Sequence, residues 1–360
     1  MSDVRAFTVA PDDDGIRLDR WFKRHLPEAS FNIVSRWART GQLRVDGRRA
    51  APGDRIEAGQ TIRVPPAERP ADPRPKAQRR PLSADEVAFV NEIVIHRDPQ
   101  AIVVNKPPGL ATQGGTKTKQ HLDGLLDGLA NDRGERPKLV HRLDKDTSGV
   151  LLLARTARAA AFFSKAFSGR TARKVYWALV VGVPEVRDGY IDLPLAKQPG
   201  TGGEKMHVDE SEHGLPARTR YRVIDRAGNR AAWVELQPLT GRTHQLRVHM
   251  AAIGHPIVGD GKYGGQEAFL TGAISRKLHL HARRLRIDHP GGDRIDVSAD
   301  LPEHFQTTLA GLGFDPAEGD LPLDEVKFGE TAEGKRRAAT AAAKARRKER
   351  KGERRNRGRG

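Results

Sequence analysis

The chain has 360 residues, of which 37% are hydrophobic and 30% charged, and 63 Lys and Arg against 46 Asp and Glu give it a formal charge of +17. A balance that basic suits a polyanionic partner, either nucleic acid or an anionic membrane surface. Having no cysteine, the chain lacks disulfides, zinc–thiolate sites, iron–sulfur clusters and thiol nucleophiles.

Met1-Ser2-Asp3-Val4-Arg5 leads into no apolar run, and the longest apolar stretch, Trp177 to Val183, is far shorter than the roughly 20 residues of a membrane helix. A cytoplasmic protein is expected. A first small module spans about 12–66. Leu18, Trp21, Phe22 and Leu26 fall at helical spacing before Pro27, and Ser30 is placed to cap a second helix with Ile33, Val34, Trp37 and Ala38 inward, stopped at Gly41. Leu43 to Val45 reads as a strand, Asp46-Gly47 as a hairpin turn and Thr61 to Val64 as a closing strand. Arg36, Arg39, Arg44, Arg48 and Arg49, with Asp46 as the one acid among them, form a cationic face. Such a face is either a solvated surface or a phosphate-binding one. Helices, hairpin and the Gly-Gln-Leu-Arg-Val-Asp-Gly turn region resemble the S4-like RNA-binding domain. Pro65-Pro66 opens a Pro- and Arg-rich stretch, and 67–88 is predicted to be a linker.

A large module is expected over 89–314. Glu92 to His96 and Ala101 to Asn105 read as strands around Arg97-Asp98-Pro99-Gln100, followed by the rigid turn Lys106-Pro107-Pro108-Gly109. His141-Arg142-Leu143-Asp144-Lys145-Asp146-Thr147-Ser148-Gly149 is a polar loop before the apolar run Val150 to Leu153, a place where a scaffold holds a catalytic side chain rigidly. Asp146 is positioned to bond the following turn. Asp144 has no such local role, although Arg142 and Lys145 leave it an ion-pair role beside a catalytic one.

Gly241 to His249 is predicted to be a strand, with Gln245, Arg247 and His249 on one face and His244, Leu246 and Val248 on the other. That separation, and the lack of a nearby acid, disfavour a metal site on His244, His249 and His255. Gly259-Asp260-Gly261-Lys262-Tyr263-Gly264 matches GxGxxG but reads as a turn, because no βαβ unit follows. Leu278 to Ile287 alternates as one more strand with no parallel partner in prospect. No phosphate-binding GxxxxGK[ST] loop and no GxSxG elbow occur. Residues 315–333 carry seven acids and one Lys, and 335–360 carry thirteen Lys or Arg and two Glu. The whole of 315–360 is expected to be disordered, its basic end serving as an RNA-binding arm.

Taken together, Asn105 to Leu110, His141 to Asp144 with Asp146 to Gly149, Lys174-Val175-Tyr176, Gly241 to His249, Gly254 to Ile257 with Tyr263-Gly264, and Leu278 to Ala282 resemble the RluA-type pseudouridine synthases. The uninterrupted Gly114-Gly115 segment and the overall layout look most like the RluC-type branch. The resemblance implies an α+β fold with a mixed, mainly antiparallel sheet and a central RNA-binding cleft, beside the small α/β S4-like domain. It also implies isomerisation of uridine to its C-glycoside without cofactor or metal. The family's catalytic aspartate falls on Asp144, whose carboxylate can attack C1′, deprotonate C2′ or attack C6. Arg247 matches the arginine that holds this carboxylate by a charge-assisted hydrogen bond. Tyr176 matches the aromatic that stacks on uracil and helps remove the C5 proton, with a packing role as its alternative. Leu280 matches an apolar pocket wall, and Arg142 the side chain that replaces the extruded nucleotide. Lys106 and Lys174 are expected to meet phosphate or support the loop. The expected partner is structured RNA, with 23S ribosomal RNA ahead of tRNA, acted on by a monomer that engages no membrane and no nucleotide cofactor. A non-catalytic ribosome-assembly factor on the same scaffold is the rival.

Overall fold

The computed structural model describes residues 5–66, 80–114, 120–198 and 205–320. Residues 67–79 of the expected linker, Gly115 of the Gly114-Gly115 segment and the tail from 321 onward lie outside the described residues. The chain divides into two compact units, Met1–Pro81 and Leu82–Gly360.

The first unit begins with β1 (Arg5–Thr8), followed by α1 (Leu18–His25), α2 (Phe31–Arg39), β2 (Arg44–Val45), β3 (Arg48–Arg49) and β4 (Thr61–Val64). Its antiparallel sheet runs β1-β4-β2-β3. The two helices bury Leu18, Trp21, Phe22, Val34 and Trp37 against Leu43, Ile62 and Val64, in one core that obeys both periodicities. The unit starts earlier than residue 12, because β1 supplies the outer partner of β4. Ser30 stands at the cap of α2, but its side chain makes no capping bond.

In the second unit α3 (Ala84–Glu92) comes first, and Ser83 and Glu86 close a capping box on it. The predicted linker thus ends before this helix, whose Val90 is fully buried beside Leu125 and Leu129. Next come β5 (Val94–Arg97), β6 (Ala101–Lys106), the short α4 (Leu122–Leu125), β7 (Lys138–Leu139), β8 (Ser148–Ala154), α5 (Ala157–Ser168), β9 (Arg173–Val181) and β10 (Asp188–Asp192). A small hairpin, β11 (Leu195–Lys197) with β12 (Met206–Val208), precedes β13 (Arg218–Ala227), β14 (Ala231–Pro238) and α6 (Gln245–Ala252). The last elements are β15 (Leu280–Asp288), β16 (Arg294–Ser298) and α7 (Glu303–Gly311).

Ten strands form the main sheet in the order β10-β13-β14-β9-β15-β8-β6-β5, with β16 beside β15 and β7 beside β8. Every pairing is antiparallel except β8 with β15, so the expected mixed, mainly antiparallel sheet is present. That parallel contact corrects the expectation that Leu278 to Ile287 lacks a parallel partner. β8 is buried along its whole length, as suits a central strand. Val150 and Leu152 pack toward α5 while Leu151 and Leu153 pack toward α4. Along β9, Ala178 and Val180 meet Leu246 and Met250 of α6, and Trp177 and Leu179 meet Phe305 and Leu309 of α7.

Two further expectations change. Gly241 to His249 is a loop that enters α6, because Leu246, Met250 and Ile253 recur at spacings of four and three and fill the core beside β9 and β14. The second unit also runs past 314: Gly319 lies so close to the Trp177 and Trp233 rings that a Cβ there would sit 2.6 Å from each, and Asp320 pairs with Arg283.

Gly149 permits the parallel contact. Its φ is +107°, and a Cβ there would stand 2.2 Å from the Ala282 carbonyl oxygen. Gly149→Ala is expected to destabilise the second unit by about 3 kcal/mol or more through combined clash and backbone strain. Gly228→Ala, at a φ of +58° with no atom within 4 Å of the added Cβ, costs only about 1 kcal/mol. Denaturant midpoints of both variants measure the gap, and equal midpoints would refute the close-approach argument.

Candidate active site

The site is assembled along one row of the sheet. Lys106 on β6 pairs with Gly149 on β8, Gly149 with Ala282 on β15, and Ala282 with Tyr176 on β9. The loop carrying Arg142 and Asp144 enters β8 just before this row. Its backbone is clamped from several directions. Thr112 Oγ1 donates to the Leu143 carbonyl at 2.6 Å and accepts the Leu143 N–H at 3.1 Å. The Lys145 carbonyl accepts from Gly109 N–H at 2.9 Å and from Lys106 Nζ at 3.0 Å. The turn itself closes by Thr147 N–H on the Asp144 carbonyl. Asp146 is exposed, and its carboxylate does not make the local turn bond expected of it.

Lys106 is fully buried and donates to the carbonyls of Pro107, Leu110 and Lys145 at 2.7 to 3.0 Å. Of its two expected roles the structure therefore supports the loop rather than a phosphate contact, since no solvent reaches the ammonium. Burial pushes its pKa down to about 7, while Asp146 and Asp144 pull the other way. All three ammonium hydrogens have carbonyl partners, which favours the charged form. His141 is held between the Phe167 ring, stacked at 4.3 Å, and the Leu152 N–H, which donates to its Nε2 at 2.8 Å. Burial, aided by the charge on Lys174, holds this imidazole down to about 3, so it is neutral.

Asp144 lies where two cavities meet. One, of about 420 Å³, has Tyr176, Leu280, Lys174 and Phe167 in its wall. The other is an open cleft of about 1020 Å³ bordered by the exposed cations Lys145, Lys262, Arg276 and Lys277. Arg142, Asp144, His244 and Arg247 border both. Tyr176 is half-buried in the wall of the smaller cavity, and burial together with the charge on Asp144 pushes its pKa up. Leu280 is 3% exposed, whereas Arg142 is open to solvent. Lys174 is half-buried, which lowers its pKa.

Arg247 does not bond Asp144 as expected. Its Nε and Nη2 donate to Asp260 at 2.7 Å each, a bidentate pair, and Nη1 stands 3.8 Å from Asp144 Oδ2. The guanidinium thus acts on Asp144 as a charge held by another carboxylate. His244 Nε2 lies 3.8 Å from the same oxygen, and its Nδ1 is 2.6 Å from Tyr263 Oη. Because 244–252 is a helix entry rather than a strand, His244 and Arg247 fall three residues apart on one side of the helix instead of on opposite faces. His244 stands at the helix start with φ +53°, a left-handed conformation uncommon outside glycine. Sequence reasoning missed His244, Asp260 and Tyr263. Asp260 and Tyr263 sit in the Gly-rich turn Gly259-Asp260-Gly261-Lys262-Tyr263, where the fold rather than the local pattern shows that they reach Arg247 and His244.

In the first unit Arg36 and Arg39 are exposed on α2, and Arg44 is half-buried with Nη1 donating to the Gly47 carbonyl at 2.7 Å. Among the described residues no cluster of three His, Asp or Glu is arranged to hold a metal ion, and no helix is long and apolar enough to cross a membrane.

Three buried imidazoles tie stability to pH. Burial holds His141 and His281 down to about 3 and His279 down to about 4, below the unfolded value near 6.5. Below that value the unfolded chain takes up protons that the native chain refuses, so stability is lost as pH falls. Between about pH 5.5 and 4.5 the three together cost up to about 4 kcal/mol per pH unit. Denaturation free energies measured from pH 7 to 5 check this, and a flat profile would show that the imidazoles titrate normally.

The RNA pseudouridylate synthase family model matches residues 100–252. Ribosomal large subunit pseudouridine synthase C of Haemophilus ducreyi is 33% identical over 321 residues, which cover 86% of this chain and 96% of that protein. The Escherichia coli K12 protein of the same name is 34% identical over 316 residues, covering 86% and 97%. Mitochondrial RNA pseudouridine synthase 4 of Arabidopsis thaliana is 35% identical, covering 86% and 82%. Among solved structures, human RNA pseudouridylate synthase domain containing 4 is 30% identical with a TM-score of 0.54, covering 64% of this chain and 98% of that one. With relatives this similar along nearly their whole length, the chain belongs to the RNA pseudouridylate synthase family and is an isomerase of that class.

Proposed function

We propose that the chain converts uridines of 23S ribosomal RNA to pseudouridine, with Asp144 as the reacting carboxylate. The observation that carries this reading is the position of Asp144 at the junction of a cation-bordered cleft and a smaller, partly apolar pocket. A strand of RNA fits the cleft by charge, and an extruded base fits the pocket, with Tyr176 to stack on it and Leu280 as its wall. Arg142, exposed beside Asp144, fills the gap that the base leaves in the stem. Lys174 lies in the pocket wall and supports the phosphate side of the bound nucleotide. The names of the most similar bacterial relatives, ribosomal large subunit synthases, support ribosomal RNA as substrate.

The chemistry asks for little else. Isomerisation breaks the N1–C1′ bond, turns the uracil and joins C5 to C1′, with no net change of oxidation state, so neither redox cofactor nor metal has a necessary task. The first unit acts as an S4-like RNA-binding module through Arg36, Arg39 and Arg44, and the basic 335–360 segment adds affinity of the same unspecific kind. The working form is a cytoplasmic monomer.

The decisive assay follows tritium release from RNA made with 5-tritiated uridine, offering 23S RNA and a tRNA pool in parallel. The parent chain releases tritium from 23S RNA, and Asp144→Asn lowers that rate by at least about 10³-fold with RNA binding retained. Release that survives the substitution would mean that another group reacts. Release from tRNA alone would replace the substrate but leave the reaction.

Replacing Arg36, Arg39 and Arg44 together by alanine is expected to weaken RNA binding and to flatten its salt dependence, by about 0.9 in log K against log salt for each duplex phosphate these side chains neutralise. Single-turnover rates at saturating enzyme stay unchanged. A slope equal to the parent's would remove the first unit from the interface.

A further inference from the structure

The turn Gly259-Asp260-Gly261-Lys262-Tyr263-Gly264 reaches Arg247 and His244 through its acid and its aromatic, which leaves its glycines without a role. Two of them let other parts of the chain come close. At Gly259 φ is +83° and a Cβ would run into the Lys277 carbonyl, so the turn is pressed against the segment that leads into β15. At Gly261 a Cβ would stand 3.1 Å from the Phe269 ring, which therefore lies on bare backbone. The same ring carries the Arg276 guanidinium, whose Cζ is 4.1 Å from the ring centroid. Phe269 is half-buried and Arg276 is exposed. The backbone of one turn thus supports both the ring and the segment from which the arginine projects.

We infer that Arg276, held over the Phe269 ring, is a fixed anchor for a backbone phosphate of the RNA, at a nucleotide beside the reacting one. This rests on the proposed reading of the open cleft as the track of the RNA strand. Arg276 borders that cleft together with Asp144, Lys145, Lys262 and Lys277, and it is absent from the wall of the smaller pocket assigned to the base. A phosphate that reaches it therefore belongs to a flanking nucleotide. The three lysines are point charges on flexible stems, which attract a phosphate without choosing its orientation. A guanidinium held over a ring differs in two ways. Its contact with the ring has already restricted its rotamers, so binding orders it at less cost. Its N–H groups lie in one plane, where two of them meet two oxygens of the same phosphate. Among the described residues those N–H groups have no carboxylate or carbonyl partner. The Gly-rich turn is then a mount: Gly259 and Gly261 are bare so that the anchor stands at a set place on the rim of the cleft.

The test measures binding of the full chain to 23S RNA across a salt series. Arg276→Lys keeps the charge and loses the fork, so affinity is expected to fall about five- to tenfold while the slope of log K against log salt stays at the parent's value. Phe269→Leu keeps the arginine and loses its support, and is expected to weaken binding about threefold, again at an unchanged slope. Parent affinity in either variant would overturn the inference and leave Arg276 one more diffuse charge. Phosphate-ethylation interference on the same RNA locates the contact. Ethylation of one phosphate near the modified uridine blocks binding of the parent, and Arg276→Ala no longer senses that position. An interference pattern identical in Arg276→Ala and the parent would equally overturn the inference. Should Phe269→Leu lose its fold by thermal unfolding, Arg276→Lys and the interference pattern decide. The underlying reading fails by a different result, absence of tritium release from 23S RNA with the parent chain, whereas release by the parent with unaltered binding in the variants removes the anchor alone.

Discussion

A single row of backbone pairing sets the sheet side of the site around Asp144. Lys106, Gly149, Ala282 and Tyr176 stand side by side on four adjacent strands, although β8 and β15 are separated by more than a hundred residues of chain. The row exists because β8 and β15 run parallel at a point where one of them has no side chain. A Cβ on Gly149 would collide with the Ala282 carbonyl, pushing the strands apart. Tyr176 and Leu280 would then move away from the loop that carries the carboxylate. The constraint is steric, and its consequence is the width of the pocket.

Within that frame the electrostatics are layered. A guanidinium buried without a partner would be costly, and Asp260 meets that demand with two short bonds. The pair leaves Nη1 directed at Asp144 from 3.8 Å. Asp144 is thereby kept beside positive charge without being consumed by a bidentate contact of its own. A carboxylate already engaged in such a fork would be a weak nucleophile and a weak base. Lys106 plays a different part: its ammonium is buried and donates to three carbonyls that hold the loop.

Much of this was legible in the sequence where local pattern and burial agree. The apolar run after Gly149 pointed to a central strand, and the helix pair of the first unit followed from Leu18, Trp21, Phe22 and Trp37. Between Arg142 and Lys145, Asp144 fits an ion pair as well as catalysis, and it is the resemblance to the pseudouridine synthases that singles it out. The failures share one cause. The stretch 241–249 alternates well enough for a strand, and only Met250 and Ile253, beyond the motif, reveal the helical period. Asp260 and Tyr263 lie in a turn whose glycines describe its backbone but not its target. The parallel partner of β15 was invisible because pairing between distant strands leaves no local mark. Similarly, Ser83 and Glu86 hid a helix start at the end of a stretch whose prolines and arginines suggested only a linker.

The rigidity of the loop fits the demands of the proposed chemistry. During the isomerisation the uracil has to detach, turn and present C5 to the same sugar carbon, so the base moves while the carboxylate must not. The structure divides these properties between its two sides. The loop around Asp144 is bonded through Thr112, Gly109, Lys106 and His141, each contact reaching the backbone or the strand behind it. The pocket opposite offers Tyr176, Phe167 and Leu280, surfaces suited to receive a flat ring by contact and stacking rather than by a fixed set of hydrogen bonds. A wall rich in directional bonds would favour one orientation of the uracil and oppose the turn. The side chains of Tyr176, Phe167 and Leu280 tolerate both orientations, while His244, whose Nδ1 is 2.6 Å from Tyr263 Oη, stands on the side of the carboxylate.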